Sequence, residues 1–188
     1  MRTLGLILLN ALHQLALSLW LGGIFILGAV AAPAVFGTAK RAGDTHWGMP
    51  LYTFAATAMG EAFRRFNWVV LVAGAVMLLA GLVYGVLAGV CRKCVAARAA
   101  LTVLAWTAAA WLTFSLFPQM MEARAAGQTG LFDTLHKTYS AAYSAQALLL
   151  LGVMMLTGRA QLDRTRSRTT EEAEPSPPPA LASRELRA

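Results

Sequence analysis

Apolar residues in this chain fall into four long runs, with the charged residues between them. No Asp, Glu, Lys or Arg occurs between Arg2 and Lys40, Arg65 and Arg92, Arg98 and Glu122, or Lys137 and Arg159. Each run exceeds the ~20 apolar residues a helix needs to cross a hydrocarbon core of ~30 Å. A helix also satisfies its own backbone in lipid, which irregular structure does not. The pattern predicts an all-α polytopic membrane protein with four transmembrane helices in an antiparallel bundle, at about 4–32, 66–90, 99–117 and 138–157.

Local signals set the boundaries. Pro33 and Gly37, followed by Lys40 and Arg41, predict the end of the first span, and 38–49 reads as a loop. Pro50 suits the first turn of a new helix, where its missing N–H would have no partner anyway. Leu51, Ala55, Met59, Ala62 and Phe66 then form a stripe at helical spacing. This is an amphipathic extension before the second span, either an interfacial segment or a protruding part of that helix. Gly81, Gly85 and Gly89 recur every four residues on the second span. Small residues on one face let another helix approach closely. A packing seam within the bundle is the first reading, and a homo-oligomer contact is the alternative. Cys91 to Arg98 reads as a short turn, Pro118 as the end of the third span, and 118–136 as a second loop.

After Arg159 the composition changes. Arg164, Arg166 and Arg168 are followed by Glu171, Glu172 and Glu174 and then by Pro175 and Pro177–Pro179. Such a segment has too little apolar surface to build a core. The expected organisation is a transmembrane domain over 1–158 and a disordered tail over 159–188, with Arg164, Arg166 and Arg168 against anionic lipid headgroups.

Composition agrees with this picture. Of 188 residues, 57% are hydrophobic and 13% charged, where soluble domains carry about 25% charged residues. The net charge of +7 sits beside the spans, so lipid rather than nucleic acid is the expected partner. The first apolar run is longer than the h-region of a cleaved signal and contains Asn10, His13 and Gln14, so it reads as an uncleaved span. Lys and Arg number eight on the side holding the N-terminus, the short turn and the start of the tail, against six on the other. The positive-inside rule then puts both termini in the cytoplasm, and the expected location is a bacterial inner membrane.

Few residues offer chemistry. His13 lies inside the first span, where an ionisable group is a functional candidate by default. It is a candidate ligand for haem or a metal such as copper. The competing reading is a hydrogen bond to a neighbouring helix, with Tyr84, Thr107 or Gln146 as partners. His136 lies at the other surface, about 20 Å away along the membrane normal, too far to share one iron. His46, beside Trp47 and Met49 in the first loop, is a second candidate metal ligand, since His with Met suits copper. Cys91 and Cys94 form a CxxC, half of a structural zinc site. The flanking Arg92 and Lys93 favour a reactive thiol. No Ser/His/Asp set, phosphate-binding loop or pair of intramembrane carboxylates is present, so no catalytic residue is predicted.

The motif His13…Trp20-Leu21-Gly22-Gly23, then Ala32-Pro33-Ala34-Val35-Phe36, then Arg65-Phe66-Asn67, resembles the domain-of-unknown-function family related to transmembrane protein 205. The resemblance covers about 8–157 and implies a four-helix membrane protein, with no activity assigned to particular residues. The first-helix motif is also similar to that of copper-resistance membrane proteins and of the haem-binding protoporphyrinogen-oxidase membrane family. The haem family carries further charged and histidine residues after its first span, where this chain has Ala31-Ala32-Pro33-Ala34. The expected function is a non-enzymatic packing or partner-binding role in the membrane. The alternative is a haem- or metal-binding protein using His13. A transporter would need a polar cavity between spans.

Overall fold

The computed structural model describes residues 2–42, 45–46 and 49–173. The chain is all-α. Helix α1 (Arg2–Phe25) passes through a wide π turn (Ile26–Ala31) into α2 (Ala32–Ala42). A two-residue antiparallel pair, Thr45–His46 with Met49–Pro50, precedes α3 (Leu51–Leu87). Helix α4 (Arg92–Trp111) passes through a second π turn (Leu112–Leu116) into α5 (Phe117–Ala125), and α6 (Thr129–Ala173) follows. Taking each helix with its π turn as one unit, four helices are long and apolar enough to cross a membrane: Thr3–Arg41, Thr53–Leu87, Arg92–Ala125 and Thr129–Leu162.

These spans are longer than the sequence pattern predicts. Pro33 and Pro118 do not end their helices. Each is the residue after one whose N–H reaches back five residues, Ala32 to the Leu27 carbonyl and Phe117 to the Leu112 carbonyl. A proline ring in a regular α-helix clashes with the carbonyl four residues earlier. The extra residue in a π turn displaces that carbonyl, so the helix continues through the proline.

The extension before the second span is part of α3, which at 37 residues is about 55 Å long. Nearly all of 118–136, read as loop, is helical: α5 runs to Ala125 and α6 starts at Thr129, leaving a three-residue turn at 126–128. The short turn is also tighter than expected, because α4 already starts at Arg92 and Arg98 lies inside it. Gly89 at φ +64° and Gly127 at φ +68° take the left-handed conformation that ends a helix and that glycine adopts without a Cβ penalty. Helix α6 continues to Ala173, past Arg159, where a disordered tail was expected to begin. Ala160, Gln161, Leu162, Arg164, Arg166 and Arg168 have good helix propensity, and the first proline beyond them is Pro175. The rest of the tail, 174–188, lies outside the described residues, as do the side chains of Arg164, Arg166 and Arg168.

Packing follows chain order: α1 on α3, α3 on α4, α4 on α6, with a smaller α1–α6 contact closing the ring. Leu17, Trp20, Met77, Leu112, Leu150 and Val153 fill the centre. Leu15, Val30, Val72, Leu79, Phe114, Leu148 and Met155 point outward from the four spans. An apolar exterior around a buried core is what a bilayer solvates and water does not.

Glycines set the closest approaches. A Cβ at Gly23 would strike the Phe66 ring, and one at Gly74 the Trp106 indole. A Cβ at Gly85 would stand 2.7 Å from Val95, and one at Gly81 would stand 3.1 Å from His13 Nδ1 and 3.5 Å from the Arg98 guanidinium. Gly81 and Gly85 are thus a seam for α1 and α4 within one chain. Gly89 lies in the turn beyond α3, where a Cβ would meet nothing within 4 Å. The three glycines therefore do not form one free face for a second copy.

Candidate functional site

Two buried polar clusters lie along α3. The first, nearer the α3–α4 turn, contains His13. This side chain is 2% exposed, and its Nδ1 donates to the Met77 carbonyl at 2.9 Å. A carbonyl only accepts, so Nδ1 carries the proton and Nε2 is the lone-pair nitrogen. The partner is main chain, not the side chain of Tyr84, Thr107 or Gln146. One turn along, the Arg98 guanidinium donates to the Gly81 carbonyl at 2.8 Å. Arg98 is 6% exposed, and Thr102 Oγ1 donates to its carbonyl at 2.9 Å. In the other direction along α3, Trp106 Nε1 donates to the Leu71 carbonyl at 2.9 Å. Each carbonyl has a second lone pair for a cross-helix donor, so α1 and α4 are pinned to α3 through its backbone.

The arrangement does not suit a haem or a metal ion. His13 Nε2 has no hydrogen-bond partner, but the crevice that His13 lines with Arg98 and Thr102 measures about 10 Å³. That is room for one water, not for a porphyrin, and the Arg98 cation beside it opposes a second cation. The other metal candidates do not join His13. Cys91 and Cys94 are exposed at the start of α4. His46 lies on the short strand before α3, and its side chain is outside the described residues. Among the described residues no three His, Cys, Asp or Glu side chains gather as a metal site would need. The Cys91 thiol is held below the ordinary thiol range, first by the backbone N–H of Cys94, then by that of Lys93 and by the Cys94 thiol. The open first turn of α4 thus favours thiolate more than the neighbouring cations do.

The second cluster lies toward the start of α3, ten residues from Met77 and so about 15 Å away along the helix. Asn67 is 3% exposed. Its Oδ1 lies 3.1 Å from the Tyr139 hydroxyl and within hydrogen-bond reach of the Tyr143 hydroxyl, and the two hydroxyls are 3.2 Å apart, so each tyrosine gives its one proton to one of its two neighbours. Phe63 meets both tyrosine rings edge-on, with centroids at 6.2 and 6.1 Å. Nδ2 is buried and has no hydrogen-bond partner. An unpaired buried donor costs about 1–3 kcal/mol.

Asn67 also borders open space, although Nδ2 itself does not reach it. A cavity of about 350 Å³ opens between α3 and the second π turn with α5. Asn67, Arg64 and Trp68 line the α3 side, and Thr113, Phe114, Phe117, Pro118 and Met121 line the other. Trp68 and Phe114 stand edge-on at 5.6 Å and are 52% and 62% exposed, so the mouth faces outward beside an aromatic pair. At its polar end Arg64 forks onto Glu61, Nε at 2.7 Å and Nη2 at 2.8 Å, and Arg65 Nε reaches the same carboxylate at 2.7 Å. Pockets of about 300–1,000 Å³ with apolar walls and a few placed polar groups are typical ligand sites. Thr113 brings a hydroxyl and Met121 a thioether to the lining, and no carboxylate, His or Cys is among its residues.

Sequence reasoning missed this cluster. Tyr139 and Tyr143 have no assigned role in the sequence pattern, and Asn67 enters only as part of a family motif. The available signal was the four-residue spacing of the tyrosines on a span that also carries Gln146. Compared with family models, curated proteins and solved structures, the chain matches none.

Proposed function

We propose that this chain is a non-enzymatic integral membrane protein that binds a lipophilic small molecule in the cavity beside Asn67. One observation carries the reading: a largely apolar cavity of about 350 Å³ that opens outward between α3 and α5 beside the Trp68–Phe114 pair. The positive-inside balance supports a bacterial inner membrane with both termini in the cytoplasm, which places the cavity in the periplasmic half. The likeness to the family related to transmembrane protein 205 accords with a four-helix membrane protein and brings no activity with it.

A variant with Trp68 as its only tryptophan tests this. In detergent, titration with a brominated lipophile quenches Trp68 fluorescence saturably, because Trp68 lines the cavity. Thr113→Trp fills the space, and in a variant carrying that change the extraction of co-purified lipophile falls to background. Non-saturating quenching, with unchanged extraction from the filled variant, contradicts the reading.

A further inference from the structure

We infer that Cys91 and Cys94 form a reversible redox site, a dithiol that closes to an intramolecular disulfide by exchange with a small anionic disulfide of the glutathione class. Cys91 is the attacking thiol and Cys94 the resolving one. The site lies at the α3–α4 turn and does not depend on what the cavity binds.

Both cysteines stand at the first turn of α4 and both are exposed. Cys91 is the residue before the helix, with extended backbone at φ −46° and ψ 124°. Its carbonyl accepts the Val95 N–H at 3.0 Å, which closes the turn. Cys94 follows three residues on. Residues three apart on a helical turn are neighbours, within the ~4.4–6.8 Å between Cα atoms that a disulfide spans. The Cys94 thiol already hydrogen-bonds to Cys91. The head of α4 is held on α3 by Val95 packed against Gly85 and by Arg98 on the Gly81 carbonyl. The two sulfurs are therefore presented together, and closing the bond between them needs no rearrangement of the helices.

The two thiols play unequal parts. The first-turn N–H groups of Cys94 and Lys93 favour thiolate at Cys91, and the thiolate is the nucleophile. It attacks one sulfur of R–S–S–R and forms a mixed disulfide, and RS⁻ leaves and takes up the proton that Cys91 gave to solvent. Cys94 then attacks the Cys91 sulfur, closes the intramolecular bond, and passes its proton to the second departing RS⁻. One dithiol is oxidised by two electrons and one R–S–S–R is reduced to two RSH. Because Cys94 is adjacent, the second step is intramolecular and outruns addition of a second R–S group. Arg92 and Lys93, both exposed, draw an anionic disulfide to the turn. A neutral disulfide gains nothing from the N–H groups that hold the thiolate, so the dithiol is favoured and the disulfide is readily reduced again. A zinc site would need four ligands, and among the described residues no three His, Cys, Asp or Glu side chains gather.

The test uses the full chain in mild detergent, equilibrated with graded ratios of oxidised to reduced glutathione. Samples are acid-quenched, alkylated with N-ethylmaleimide and weighed intact. The unmodified chain is expected to lose both alkylatable thiols together, with no glutathione adduct accumulating. Cys94→Ser is expected to stop at one glutathione adduct on Cys91, and Cys91→Ser to react about tenfold more slowly. Both side chains are exposed, and the unmodified chain alone separates ring closure from adduct formation, so the result does not hang on how a variant folds. Two glutathione adducts on the unmodified chain, a disulfide between copies, or no reaction overturns the inference. Equal rates in the two variants overturn the assignment of attacking and resolving thiols. Thiols shielded from alkylation until a chelator is added would assign the pair to a soft metal ion, and that result overturns the redox site as well.

Discussion

His13 and Arg98 grip the same helix one turn apart, through the Met77 carbonyl at 2.9 Å and the Gly81 carbonyl at 2.8 Å. They come from different spans, and each stands the same number of residues before the proline that its own span passes through, Pro33 or Pro118. Polar side chains on α1 and α4 thus do corresponding work on α3. This makes the histidine a clasp between helices.

The clasp predicts coupling between His13 and Gly81. A Cβ at Gly81 would stand 3.1 Å from His13 Nδ1, so Gly81→Ala crowds the ring and weakens its bond. Alone, Gly81→Ala or His13→Ala should each cost about 1–3 kcal/mol. Together they should cost less than the sum, because the smaller residue at 13 makes room for the methyl, with a coupling of at least ~0.5 kcal/mol. Reversible unfolding in mixed micelles, followed by far-UV circular dichroism, measures the cycle. Strict additivity would show that the two sites act separately.

The glycines should differ sharply in tolerance. Gly85→Ala puts a methyl 2.7 Å from Val95 and should lower the melting temperature, by the equivalent of about 1–3 kcal/mol. Gly22 faces nothing within 4 Å, so Gly22→Ala should be neutral or slightly stabilising, since Ala is the better helix former. Equal losses at both positions would argue against the seam.

The two cysteines should be chemically unequal. Cys91 stands at the residue before α4, where the N–H groups of Cys94 and Lys93 lower its thiol pKa. The thiolate is the nucleophile, so lowering the pKa raises the reactive fraction at neutral pH. Cys94→Ser should therefore react with a maleimide faster at pH 7 than Cys91→Ser does. Its rate should fall as pH drops through the lowered pKa and should level off above it. Equal rates with ordinary thiol profiles would contradict this.

Much of the bundle was legible because charge-free runs and bilayer thickness are read directly from sequence. Helix ends were less legible. Pro33 and Pro118 signal termination in a regular α-helix, and a π turn is a local change of hydrogen-bond register that apolar periodicity does not encode. Arg98 read as a turn charge because burial depends on where α4 starts relative to α3. The Asn67 cluster depends on α6 meeting α3, a long-range pairing that one asparagine and two tyrosines do not announce. The glycine stripe announced a seam, and only the fold shows that its partners are His13, Val95 and Arg98.

Ligand-induced stabilisation tests the cavity most directly. A ligand that binds only the folded state stabilises it by RT ln(1 + [L]/Kd), about 2.7 kcal/mol at a hundredfold excess over Kd. The melting temperature of the delipidated protein is measured with and without the brominated lipophile at constant detergent, for the unmodified chain and for Thr113→Trp. A rise of several degrees that is absent from the filled variant is the predicted result. No rise, or the same rise in both proteins, would contradict a ligand site beside Asn67.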